Sequence, residues 1–253
     1  MSINGSASAE VFFVERGRWV AASEGVRPGE VLARVADFVE TVLPLAQTRR
    51  LLHLGCGKGE LSLELARRGY KPVAVDISPD VIAVARGRAM AQRVPVAFLA
   101  ADMARLDFPP YFDAVLAVET TLPFRGKAET FSRPLEQVAA LLRPGGRFLF
   151  GCAAWRALPA AREVVYEGPG GRAVETFTFD APTRTVCRTL RVESRSGARE
   201  VCWQSYWPDA AEIEAALRAA GFALRGRWHR YDPEATWTDE ETPGSIWLAE
   251  WRP

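Results

Sequence analysis

Little in this chain points to metal, membrane or polyanion. Its 253 residues include only two histidines, His53 and His229, and four cysteines, Cys56, Cys152, Cys187 and Cys202. None of these falls at metal-ligand spacing and there is no CxxC pair, so no metal site is expected and the cysteines read as reduced thiols of a cytoplasmic protein. No apolar run approaches the roughly 18 residues of a membrane span. The start, MSINGSASAE, lacks the basic and apolar regions of a secretory signal and reads as a frayed tail. Net charge is also missing: 32 basic side chains face 31 acidic ones, which leaves no field to gather nucleic acid or an anionic membrane.

What is present suits one sizeable core, with 48% hydrophobic and 25% charged residues. Strand and helix patterns alternate from residue 29 onward. A helix is expected from Gly29 to about Leu43, where Pro44 stops it; with the preceding residues it makes a cap region over about 1–48. Then come strand Leu51–Leu54, helix Gly59–Arg68, strand Val73–Asp76, and a helix from Ser78-Pro79 to about Gln92 with Ser78 as its cap. Strands Val96–Leu99 and Phe112–Val118, a helix near Ala128–Leu142, the turn 143–146 and strand Arg147–Phe150 complete the run. Such alternation implies right-handed crossovers, a largely parallel doubly wound sheet, and a ligand beyond the carboxyl ends of its strands.

Over about 160–207 the period changes to two, with segments near Val174–Phe179, Thr185–Glu193 and Glu200–Trp207. This predicts an antiparallel insertion or lid after the fifth strand, one that leaves a homodimer through its strands open. Asp209 to Glu212 forms a capping box for a helix ending at Gly221, followed by strands near Phe222–His229 and Ser245–Trp251. The whole chain reads as one domain.

The stretch HLGCGKGE places Gly55, Gly57 and Gly59 directly after the first strand. A glycine turn opening a helix presents backbone N–H groups and lets a ligand touch the main chain. Asp76 follows 21 positions after Gly55, at the end of the second strand, where its carboxylate can accept from a ribose diol. Both features suit a dinucleotide as well as S-adenosylmethionine. The dinucleotide pattern, however, needs glycine at position 60, where the chain has Glu60, a carboxylate that opposes a pyrophosphate; Lys58 could offset it in part.

Taken in order, HLGCGKGELSLELARRG, VAVDISPDVIAVARGRA, AADMARLDFP, FDAVLAV and LLRPGGRFLF resemble class I S-adenosylmethionine-dependent methyltransferases of small-molecule type. The likeness covers roughly residues 30–152 and returns at 209–253. It implies a Rossmann-like seven-stranded sheet with the last strand antiparallel. It also implies S-adenosyl-L-methionine on Gly55–Gly59, with Cys56 in the turn, Asp76 on the ribose, Ile77 against adenine and Asp102-Met103 at the adenine edge. Where the family usually has an acidic residue, two positions before the first glycine, this chain has His53. That histidine is either a satisfied core residue or part of the network around the methionyl ammonium.

Methyl transfer from a sulfonium is an in-line displacement that needs alignment more than a protein nucleophile. Glu119, just after FDAVLAV, could contact the methionyl group or orient an acceptor, and His229 is a candidate general base. Arg188 lies on the apolar face of its strand with Val186, Leu190 and Val192; it either snorkels to an edge or meets an anionic substrate group. Trp203 and Tyr206 offer an aromatic wall for packing or for substrate. No Asn-Pro-Pro-Tyr type sequence follows the fourth strand, which disfavours a nucleobase acceptor. The reading is a methyltransferase acting on oxygen or nitrogen of a small molecule. The alternatives are an NAD(P)-dependent oxidoreductase and a non-catalytic S-adenosylmethionine-binding scaffold or sensor.

Overall fold

In the computed structural model, the residues described are 9–23, 29–118, 132–152, 161–168, 171–194, 197–235 and 245–253. Helices α1 (Ala9–Ala22) and α2 (Gly29–Val42) precede strand β1 (Arg50–Leu54) and helix α3 (Glu60–Arg67). Next come β2 (Lys71–Asp76), α4 (Pro79–Gln92), β3 (Ala97–Ala100), a single 3-10 turn at Met103–Arg105, and β4 (Phe112–Ala117). Helix α5 (Ser132–Leu141) leads into β5 (Leu142–Cys152). Four strands follow, β6 (Ala161–Gly168), β7 (Gly171–Asp180), β8 (Thr185–Ser194) and β9 (Gly197–Tyr206). The chain closes with α6 (Ala210–Ala219), β10 (Phe222–His229) and β11 (Ser245–Trp251).

Seven strands pair in the order β10-β11-β5-β4-β1-β2-β3, with β11 antiparallel to both neighbours. Every residue of β4 is buried, as expected of a central strand covered on both faces. One face packs Phe148, Phe150 and Trp247 beneath α5 and α6, and the other packs Leu51, Leu116 and Leu149 beneath α2 and α3. Strand order reverses between β1 and β4, so the carboxyl ends of these two strands open a crevice.

The second sheet, β6-β7-β8-β9, is wholly antiparallel. Its inner face and α1 form a separate core in which Phe12 and Trp19 meet Tyr166, Leu190, Val201 and Trp203. Helix α1 therefore lies between this sheet and α4.

Three details depart from the sequence reading. Helix α1 was not expected, because its apolar residues spread around the helix and leave no single stripe: Phe12 and Trp19 are buried in the lid core, while Phe13 and Val20 pack against that core and also line a cleft. The insertion holds four strands rather than three, since β6 carries only Val164 and Tyr166 inward. Residues 143–146, expected as a turn, lie within β5, and the β4–β5 register shifts between Phe112 and Ala114.

Candidate functional site

At the end of β1 the chain turns through Gly55, Gly57 and Gly59, all with positive φ. At Gly59, which caps α3 with φ 81°, an added Cβ would stand 2.6 Å from the Phe98 ring, so only glycine allows this approach. Gly57, with φ 56°, opens instead onto free space. The Cys56 N–H donates to the Val75 carbonyl at 3.0 Å, tying the turn to β2. Burial pushes the Cys56 thiol well up and keeps it neutral.

Asp76 organises the crevice. Its Oδ2 accepts the Gly57 N–H and its Oδ1 the Ser78 N–H, each at 3.0 Å. Burial raises its pKa, and these amides offset part of that rise. Each oxygen keeps a second lone pair, enough for a diol. Asp102 accepts the Ala104 N–H at 2.9 Å and so shapes the turn that carries Met103. His53 and Ser62 are both buried, with Nδ1 2.8 Å from Oγ.

The charge offset at the turn has a second source that the sequence reading did not name. Arg88 pairs with Glu60 at 2.7 Å, while Lys58 also feels the same carboxylate. Lys58 reaches away to the end of α1, where its Nζ donates to the Ser23 carbonyl at 2.6 Å. Glu60 is thus a paired carboxylate, and its case against pyrophosphate rests less on repulsion than on the missing third glycine.

Above the crevice is a cavity of about 560 Å³. Its floor includes His53, Gly55, Cys56, Gly57, Asp76 and Ile77, joined by Asp102 and Met103. Its roof is contributed by α1 and the second sheet: Phe13, Arg16 and Val20 from the helix, Val164, Tyr166 and Phe177 from the strands, with Arg162 and Arg188. Gly59 supports the floor without lining it.

Arg188 neither snorkels to an edge nor stands open to solvent. Its Nε donates to Glu175 Oε1 at 2.9 Å, its Nη2 donates to the same oxygen, and the Phe177, Phe13, Phe12 and Trp203 rings surround its guanidinium at 4.7–5.9 Å. Glu175 is fully buried and accepts in addition from Arg16 Nε and Tyr166 Oη, both at 2.8 Å. Burial would raise the Glu175 carboxyl, but the two guanidiniums outweigh it and hold the pKa below the usual value.

Other candidates lie elsewhere. Trp203 packs against Phe12 and Phe13 inside the lid core and is not part of the cavity lining. Tyr206 is likewise outside the lining: it donates to Glu212 at 2.9 Å beneath Arg184, clamping β9 to α6. The aromatic wall is instead Phe13, Tyr166 and Phe177. His229 ends β10, four strands from β1, or roughly 19 Å at ordinary strand spacing. Its Nδ1 is buried without a hydrogen-bond partner among the described residues. Glu119 falls outside the described residues. The α1 contribution was missed, although Phe13, Arg16, Gly17 and Val20 do recur at one-face helical spacing; an arginine and a glycine disguise the pattern. Among the described residues no group of acidic, cysteine and histidine side chains could hold a metal, and no helix is long and apolar enough to cross a membrane.

A seven-stranded sheet with one antiparallel strand, a glycine turn and a carboxylate ending β2 define a Rossmann-like domain for a nucleoside cofactor. The methyltransferase domain family matches residues 51–146. A demethylmenaquinone methyltransferase of Clavibacter sepedonicus is 31% identical over 76% of this chain and 72% of its own length. A Geobacillus protein named as a methyltransferase is 31% identical over 40% of this chain but only 41% of its own length, so the chain spans less than half of some curated relatives it matches. Among solved structures, an S-adenosylmethionine-dependent methyltransferase from Clostridium acetobutylicum superposes with a TM-score of 0.72 at 16% identity, covering 88% of this chain and 92% of the other. The chain belongs to the class I S-adenosylmethionine-dependent methyltransferase family, whose cofactor is S-adenosylmethionine. This membership sets the nicotinamide reading aside.

Proposed function

We propose that the protein transfers a methyl group from S-adenosylmethionine to an oxygen or nitrogen of a small molecule held between the glycine turn and the lid. One observation carries this reading: a single cavity joins the turn, Asp76 and Asp102 to a roof of α1 and antiparallel strands. The floor fits a phosphate-free nucleoside, since Gly57 leaves open space where a side chain would project and Asp76 keeps acceptor capacity for a ribose.

The cofactor supplies an electrophilic methyl group on a sulfonium. The chain's part is to bind and align. Asp76 would hold the ribose hydroxyls, Ile77 and Met103 would flank the base, Asp102 would meet its edge, and His53, fixed by Ser62, would line the methionyl end. Phe13, Tyr166 and Phe177 would exclude water and seat the acceptor, an alignment effect that can be worth several kcal/mol. Glu119 and His229 stay in the proposal as candidates for proton removal. Intracellular location and a dimer through the lid strands belong to the same reading.

Calorimetric titration with S-adenosylmethionine, S-adenosylhomocysteine and NADH tests it. Binding of the two sulfur nucleosides alone is expected, followed by S-adenosylhomocysteine release on an acceptor panel; binding of NADH alone would sink the reading.

A further inference from the structure

Negative charge in the cavity is confined to one side. Among the described residues the acidic side chains that line it, Glu60, Asp76 and Asp102, all belong to the floor, where Lys58 also lies. Among the described residues, the charged side chains that line it from α1 and the lid are all arginines: Arg16, Arg162 and Arg188.

Glu175 does not reverse this. It sits behind the roof, fully buried, with Oε1 taken by Arg188 and Oε2 by Arg16 and Tyr166. One carboxylate thus serves two guanidiniums. It fixes their orientation, as the rings around Arg188 also do, so the roof presents cationic groups that lose little freedom on binding. Arg16 remains partly open, its side chain 31% accessible, with Nε on Glu175 and Nη2 3.2 Å from Tyr166 Oη. Its guanidinium has donors left for a ligand. Phe13, Val164 and Phe177 beside it favour an apolar body attached to the anion.

We infer that Arg16, Arg188 and Arg162 form an oxyanion-binding roof, which takes a carboxylate or phosphate group of the ligand beneath the lid. The inference rests on the methyltransferase reading and narrows its substrate class to acceptors carrying an anionic group on an apolar body. The same chemistry could come from the cofactor's own methionyl carboxylate, so the test must separate the two sources.

Protein saturated with S-adenosylhomocysteine is titrated with benzoate and phenyl phosphate, and with their neutral counterparts benzamide and phenol. The expected result is at least tenfold tighter binding of the anions, a preference abolished in Arg16→Gln and reduced in Arg188→Lys. Arg191→Gln, on the exposed face of β8, should leave it intact. Thermal melts identify any variant that has lost its fold, and the more open Arg16 keeps the test available if Arg188→Lys fails. Suppose the anions bind only cofactor-free protein, and Arg16→Gln weakens S-adenosylhomocysteine tenfold but not 5′-methylthioadenosine, which lacks the carboxylate. The roof then binds an oxyanion and the cofactor is its source. No anion preference in either state overturns the inference. Failure of the wild-type protein to bind S-adenosylhomocysteine would overturn the methyltransferase reading instead, leaving the cofactor-free titration to decide this one.

Discussion

Lys58, on the glycine turn, donates from Nζ to the carbonyl oxygen of Ser23 at 2.6 Å and to its hydroxyl at 3.3 Å, so the turn is fastened directly to the end of α1. A hydrogen bond from a charged donor contributes about 1.5–3 kcal/mol. Lys58→Met should loosen α1 and weaken S-adenosylhomocysteine by about tenfold, at the lower end of that range. Calorimetry gives the affinity and amide exchange across residues 9–22 reports the helix. Unchanged exchange would mean that the fastening carries no weight.

Asp76 holds the turn and faces the cavity at once. Asp76→Ala removes both roles and should weaken S-adenosylhomocysteine by about a hundredfold, equivalent to roughly 2.7 kcal/mol. Asp76→Asn keeps one acceptor oxygen and should cost less. Because burial raises the Asp76 pKa, wild-type affinity should be full above that pKa and fall as pH drops through it, at higher pH than an ordinary aspartate would give. Equal affinities for Asp76→Ala and wild type would remove Asp76 from the site.

Glu175 gives the lid a pH dependence of the opposite origin. Arg16 and Arg188 overcome the effect of burial and lower its pKa below the ordinary 4.5. The unfolded chain therefore binds more protons than the folded one across the window between the folded value and 4.5. Stability is fully present above that window and is lost as pH falls through the folded pKa. Denaturant midpoints measured from pH 7 down to pH 3 should decline for the wild type, and more shallowly for Glu175→Gln. Glu175→Gln should also be less stable at pH 7, since a buried ion pair that loses one partner costs about 3–5 kcal/mol. Parallel pH profiles for the two proteins would contradict this assignment.

The sheet was legible because its signals are local. Apolar runs at Leu51–Leu54 and Phe112–Val118, glycine 57 and 59 at a forced turn, and the Ser78 and Asp209 caps each fix their own element. The cavity floor was legible for the same reason, because Asp76 ends β2 and Asp102 stands two residues beyond β3. The roof was not. Arg188 meets Glu175 on the neighbouring strand, and Arg16 reaches the same Glu175 across 159 positions, so the sequence showed an arginine on an apolar face and nothing of its partners. Tyr206 and Trp203 were attractive as aromatics near one another, yet alternation sends Trp203 into the lid core and Tyr206 towards α6.

Gly17 makes the docking of α1 testable without touching a charged group. It packs directly on Ser78, the cap of α4, and an added Cβ would clash with Ser78 Oγ and Cβ. Alanine is the better helix former by about 1 kcal/mol, so propensity alone predicts that Gly17→Ala stabilises α1. Packing predicts the reverse, because the clash involves the base of a short side chain that also caps α4, and overpacking of this kind costs about 1–3 kcal/mol. We expect Gly17→Ala to lower thermal stability and to weaken S-adenosylhomocysteine, as the helix is lifted from the cleft. Ser78→Gly, which removes the obstruction and costs a cap only a few tenths of a kcal/mol, should restore binding in the double variant. If Gly17→Ala instead raises the melting temperature and binds normally, α1 does not sit against α4 in solution, and the roof it shares with the lid would have to be redrawn.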